Sequence, residues 1–184
     1  TLRYVFHTPQ FIFTHRQLYN KDVVRICIWE VVLMAKVLVV DDEKLIRDYI
    51  VESLQFAGFE TISACNGEEG LKEALEHIPD AIVSDLMMPK LDGFGLLDAL
   101  RADAKTNTIP VIIMTAVSDP QHVREGMTGG AADYLSKTAS PVDLISAVKT
   151  QLAKQAVIQA KLDTNLRLLR KNIIYALPHE FRTP

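Results

Sequence analysis

The sequence predicts an α/β domain, a doubly wound parallel sheet, with one long helix after it. Three observations carry this expectation. Short β-branched runs alternate with helical patterns from residue 36 onward. The runs 37–40 and 111–114 are apolar at every position, as strands covered by helices on both faces are. From 142 to 177 there is no Gly or Pro, which leaves one uninterrupted helix of ~50 Å at ~1.5 Å per residue.

The elements follow in order. A strand over 36–40 (KVLVV) precedes a helix over 44–56, and a strand over 60–64 precedes a helix over 68–77. A third strand, 81–84, ends at Asp85 and leads to a helix over 93–101. The fourth, 111–115, leads to a helix over 120–128, and the fifth, 133–136, runs into the pattern that starts at Pro141. Five strands alternating with five helices is the pattern of a parallel sheet wrapped on both faces. Such sheets bind ligands beyond the carboxyl ends of their strands, near the point where strand order reverses.

Within the final helix, Ile145, Val148 and Leu152 form a stripe expected to pack on the sheet, and Gln155 and Gln159 break its phase. Leu162, Leu166, Leu169, Ile173 and Ala176 then follow at steps of 4, 3, 4 and 3. That is a heptad seam, which needs an apolar partner; a second copy of the same helix is the simplest. The other end of the chain is different. Residues 1–33 hold no lasting period, whereas the pattern changes at Met34. Met34 is expected to be the natural start, with 1–33 a translated leader or an artefact; an authentic element on 23–32 is the alternative.

Composition narrows the function. With 20 Lys+Arg against 23 Asp+Glu the net charge is −3, which argues against nucleic acid as a bulk electrostatic partner. Cys27 and Cys65 form neither a disulfide framework nor a CxxC motif, so a reducing, cytoplasmic setting is expected. The apolar stretch 22–40 is broken by Arg25, Glu30 and Lys36, too often for a membrane span, and it lacks a signal peptide's order.

Chemistry gathers at the strand ends. Asp41 and Asp42 follow the first strand, Asp85 the third, Thr115 ends the fourth and Lys137 follows the fifth. One such residue is explained as a cap or solvated turn; four strands delivering polar residues to one edge are not. Three converging carboxylates repel, which raises at least one pKa. A divalent cation removes that cost, and oxygen ligands without His or Cys suit Mg²⁺. Together with Lys137 such a site attracts a phosphoryl group, and an aspartate, ionised at neutral pH, serves as nucleophile without a separate base.

The runs VLVVDDE at 37–43, SDLMMP at 84–89 with Asp92 and Gly93, MTA at 114–116 and YLSK at 134–137 resemble the receiver domain of two-component response regulators, over about residues 34–155. The resemblance implies a flavodoxin-like five-stranded parallel sheet and Mg²⁺ as cofactor. It implies Asp85 as phosphoacceptor, supplied by a histidine kinase or phosphotransfer protein. Asp42, Asp85 and the Met87 backbone carbonyl would ligate the metal, and Asp41 would reach it through water. Lys137 would pair with the phosphoryl group, Thr115 would move onto it, and Tyr134 would then swing inward. Thr138 stands after Lys137 where the family has proline, and Gly129-Gly130 loosens the loop before the fifth strand.

The last residues, LPHEFRTP at 177–184, resemble the phosphoacceptor box of sensor histidine kinases. By that resemblance His179 would be the phosphorylated nucleophile and Glu180 the acid that activates it. Residues 156–184 would then be a dimeric helix and the start of a kinase core. No GxxxxGK run followed by Ser or Thr occurs, so ATP binding would belong to a parent histidine kinase. The main expectation is therefore a phosphorelay module joining Asp85 to His179. The alternatives are a stand-alone response regulator or a dimerisation adaptor with a silent acidic site. An aspartyl phosphatase is disfavoured, because the second acid it needs two residues after the nucleophile is Met87 here.

Overall fold

A computed structural model describes residues 35–116 and 130–176. Five strands, β1 (Lys36–Val40), β2 (Glu60–Ala64), β3 (Ala81–Asp85), β4 (Val111–Thr115) and β5 (Asp133–Ser136), form one sheet in the order β2-β1-β3-β4-β5. Every neighbouring pair is parallel. The helices are α1 (Lys44–Phe56), α2 (Gly67–His77), α3 (Gly93–Ala102) and α4 (Pro141–Ala176). This is the expected flavodoxin-like architecture with its long final helix. The expected helix over 120–128, the segment 1–33, Met34, and the terminal box lie outside the described residues.

Alternate side chains of each central strand feed two separate cores. Val37, Val39, Val83, Ile112 and Met114 point to one face, where Ile50 and Leu54 of α1 and Leu144, Val148 and Leu152 of α4 cover them. Leu38, Val40, Ile82, Val111 and Ile113 point to the other, under Ala74 of α2 and Leu96, Leu97 and Leu100 of α3. A strand that must be apolar on both faces reads as a continuous run, which is why 37–40 and 111–114 carry no alternation.

Local chemistry sets the element ends. The Asn66 side chain accepts from the Glu69 amide at 3.1 Å, and the Glu69 carboxylate accepts from the Cys65 amide at 2.8 Å, a reciprocal cap that starts α2. Asp92 starts α3 by accepting from the Gly95 amide at 2.7 Å. Arg101, at the end of α3, donates to the carbonyls of Asn107 and Ile109 at 3.0 Å and of Gly130 at 2.8 Å. The glycine that sequence reading marks as a point of looseness, with φ +89°, is therefore held by a guanidinium.

Gly93 is fixed by contact. A Cβ there would lie 2.4 Å from the Asp85 carbonyl oxygen, and its amide donates to the Leu86 carbonyl at 2.9 Å. The first turn of α3 thus rests directly on the end of β3. Gly93→Ala should lower the unfolding free energy by about 1–3 kcal/mol, the usual cost of overpacking. Urea titration of the two proteins checks this; an unchanged midpoint would show that the backbone gives way freely.

Candidate functional site

Strand register assembles the site. Val40 pairs with Ser84, so Asp41 and Asp85 leave the sheet side by side at the carboxyl ends of β1 and β3. Asp85 pairs with Met114 and Thr115 with Ser136, which sets Thr115 and then Lys137 beyond the same edge. Strand order reverses between β1 and β3, so this edge is the crevice where doubly wound sheets bind ligands.

Lys137 closes the group. Its Nζ lies 2.8 Å from Asp85 Oδ2, 3.1 Å from Asp41 Oδ2 and 3.4 Å from Glu43 Oε1. The backbone holds it there, its amide donating to the Thr115 carbonyl at 2.9 Å. In place of the family's proline, Thr138 makes a hydroxyl contact of 2.7 Å with Ser136, so the loop is tied by hydrogen bonds. Burial by itself would lower the Lys137 pKa; hydrogen bonds and charge from Asp85 and Asp41 outweigh it and raise it. The ammonium therefore stays charged throughout the physiological range.

Asp41 is only 1% exposed and Asp85 4%. Burial is the main reason that the Asp41 carboxyl sits above the usual carboxylate range; the Glu43 amide and Lys137 oppose the shift and Asp85 adds to it. The carboxylate repulsion expected from sequence is thus a lesser cause than desolvation. One oxygen each of Asp41, Asp42 and Asp85 lie within 4.8 Å of one another. An all-oxygen set with two buried members suits a hard divalent cation, and Mg²⁺ fits it. Such an ion would offset the burial of negative charge that one lysine only partly balances.

The structure thus brings together Asp41, Asp42, Asp85, Thr115 and Lys137. Met87 lies two residues past Asp85 with its side chain exposed, consistent with a backbone role only. Tyr134 is half-buried against the core beneath α2 and α3. His179 and Glu180 lie outside the described residues. Sequence reading missed Glu43 and Arg47. Arg47 Nη1 donates to the Asp41 carbonyl at 2.6 Å, and its amide donates to the Glu43 carbonyl at 2.9 Å. The only available signal was their helical spacing of four across the start of α1.

A parallel α/β domain with an acidic crevice bridged by a lysine defines the class of protein. The chain belongs to the response regulator receiver domain family, whose sequence model matches residues 37–149. A relative named probable transcriptional regulator ycf27, from Porphyridium aerugineum, is 40% identical over 131 residues, covering 71% of this chain and 52% of that protein. The DNA-binding dual master transcriptional regulator RpaA of Synechocystis is 36% identical over 121 residues, covering 66% and 50%. The chain spans about half the length of these curated relatives. Among solved structures, chemotaxis protein CheY4 of Vibrio cholerae is 35% identical with a TM-score of 0.61, covering 64% of this chain and 98% of that one. The receiver domain of a signal transduction histidine kinase from Syntrophus aciditrophicus is 33% identical with a TM-score of 0.61, covering 65% and 91%.

The chain is therefore a receiver domain of two-component signalling. Two expectations lose ground. The curated relatives are named as transcriptional regulators, which leaves the kinase fusion without support from them. The exclusion of nucleic acid also lacks support, since one relative is named as DNA-binding; the net charge of this chain bears on this chain alone. Among the described residues, no helix is long and apolar enough to cross a membrane.

The Asp41 shift has a pH signature. In the unfolded chain Asp41 titrates in the ordinary carboxylate range, and in the folded chain above it. Between the two the folded state binds more protons, so this group's contribution to stability falls as pH rises. Asp41→Asn keeps an oxygen to accept the Glu43 amide and removes the titration. Urea midpoints from about pH 4 to about pH 7 should therefore decline more steeply for the wild type than for the variant when metal is chelated. Parallel curves would contradict the assignment.

Proposed function

We propose that the chain is the receiver of a response regulator in which Asp85 is the phosphoacceptor. The observation that carries this reading is the Asp85–Lys137 contact of 2.8 Å at the mouth of the acidic crevice. An Asp85 carboxylate oxygen attacks the phosphorus of a phosphohistidine. The P–N bond breaks, the imidazole leaves and takes up a proton, and an acyl phosphate forms. Asp41, Asp42, Asp85 and the Met87 carbonyl would hold Mg²⁺, which when bound neutralises charge on the phosphoryl oxygens. Lys137, released in part from Asp41 and Glu43, pairs with the same oxygens from the other side. Thr115 senses the new group through its hydroxyl, Tyr134 repacks with it, and the change passes to α4 as the output, in a cytoplasmic setting.

A second copy of the chain is the partner proposed for α4. Past Gln155 the helix leaves the sheet, and Leu162, Leu166 and Leu169 are each more than half exposed. The stripe lies among Lys161, Asp163, Arg167 and Arg170, with Leu168 exposed beside it, and its heptad spacing is that of a coiled-coil seam.

The relatives' names favour a response regulator over a kinase fragment as the parent. One observation favours the second reading, a receiver ahead of a kinase core: the HEFRTP box at 179–184 directly behind the heptad helix. ATP-dependent phosphate on His179 in the parent protein would support it; its absence there leaves the regulator.

Acetyl phosphate with Mg²⁺ should place one phosphoryl group on Asp85, detected by intact mass. Asp85→Asn should take none, Lys137→Ala should be slower by about 10²–10³-fold, and chelation of Mg²⁺ should stop the reaction. Undiminished incorporation in Asp85→Asn would overturn the assignment. Sedimentation should show a dimer that a Leu166→Glu, Leu169→Glu variant weakens by at least about 10²-fold, since each buried Leu contributes ~1.5–3 kcal/mol. A wild type that stays monomeric at high concentration would remove the second copy as partner.

A further inference from the structure

The face of α4 that packs on the sheet core is apolar with a buried amide set into it. Leu144, Ala147, Val148 and Leu152 line it, and among them Gln151 is 4% exposed. A buried amide is costly unless it is hydrogen-bonded, and an apolar side chain of similar size would fill the same space. Gln151 Nε2 donates to the Ala132 carbonyl at 3.1 Å and to Asp133 Oδ2 at 3.3 Å. The other oxygen of that carboxylate, Oδ1, accepts from the Tyr134 amide at 2.9 Å. One turn further along α4, Gln155 Nε2 donates to the Thr108 carbonyl. Two amides on one helix therefore hold the backbone where β4 and β5 begin.

β5 makes this placement consequential. It has four residues and lies at the edge of the sheet, bonded to β4 alone among the described strands. Lys137 follows its carboxyl end, and Asp133, at its amino end, is clasped by Gln151. At ~3.3 Å per residue the two ends are only ~13 Å apart. A displacement of Lys137 is felt at Gln151 unless the short strand deforms.

We infer that Gln151, through Asp133 and the Ala132 carbonyl, couples the position of β5 to the exposed half of α4, so that phosphorylation at Asp85 is read by the helix through a polar clasp at the far end of the strand. The inference rests on the phosphoacceptor reading of Asp85. It makes Gln151 a positioning residue with no contact to the reacting atoms. Gln155 fixes the point beyond which the helix is free to respond.

The test uses the whole chain with acetyl phosphate and Mg²⁺, with phosphate on Asp85 read by mass and amide hydrogen exchange read over 156–171. In the wild type, phosphorylation should change exchange in that segment by about fivefold or more, the lower range of measured couplings between sites. Gln151→Met should take phosphate equally well, and the change should shrink below about twofold. Asp133→Ala, which removes the same link from the strand side, should behave alike and serves if Gln151→Met does not fold. A merely structural role would shift exchange in both states and leave their ratio intact. A wild-type ratio retained in the variants would overturn the inference, as would a phosphorylated wild type whose helix does not change. No phosphate on wild-type Asp85 would overturn the assigned function and the inference with it.

Discussion

The Lys137 ammonium between Asp85 and Asp41 is the contact on which the rest of the molecule turns. It joins the strand at one edge of the sheet to the carboxyl ends of two inner strands, with Nζ–O distances of 2.8 and 3.1 Å. Taking two carboxylates out of water is costly, and their attraction to a lysine offsets the cost only where geometry is good. Here one lysine serves two buried acids and touches a third, more exposed one, Glu43. The pocket remains short of positive charge, and Asp41 records this as a carboxyl held above its usual range chiefly by burial. A fold seeking stability alone would replace such a cluster with apolar side chains.

The surroundings keep this cluster from collapsing or dispersing. Two apolar cores grip the inner strands from both faces, so their carboxyl ends stay in register. The start of α3 presses on β3 at Gly93, leaving no room for Asp85 to retreat. Arg47 holds the backbone after β1 through the Asp41 carbonyl. On the other side β5 has one neighbour among the described strands, and the Lys137 loop is tied by the small hydroxyls of Ser136 and Thr138. The strand at the edge of the sheet is the one that leads into Lys137.

Much of this was legible in the residues. Continuous apolar runs announce strands covered twice, and acids or a lysine placed just after several such runs announce a shared edge, because parallel strands all end on the same side. What escaped was tertiary. The closeness of Glu43 to Lys137 joins residues 94 positions apart; no local period encodes it. Gly129-Gly130 reads as looseness, yet Arg101 reaches across 29 positions to hold the Gly130 carbonyl. Spacing suggests repulsion among three acids, whereas Asp41 feels it from Asp85 and less than it feels burial, a depth that spacing does not reveal.

The last helix shows why one chemical type can be read two ways. Sequence reading takes Gln155 as a flaw in a hydrophobic stripe, and Gln151 does not stand out at all. In the folded chain both amides bond the helix to backbone carbonyls of the sheet's amino-terminal edge. An apolar contact between helix and sheet is nearly indifferent to small slides, because burial depends on area and not on direction. A hydrogen bond to a backbone carbonyl depends on both distance and angle, so a slide that leaves the core intact still breaks it. Apolar residues thus give α4 its adhesion, and the two glutamines give it a sensitivity to strand position that adhesion alone does not provide.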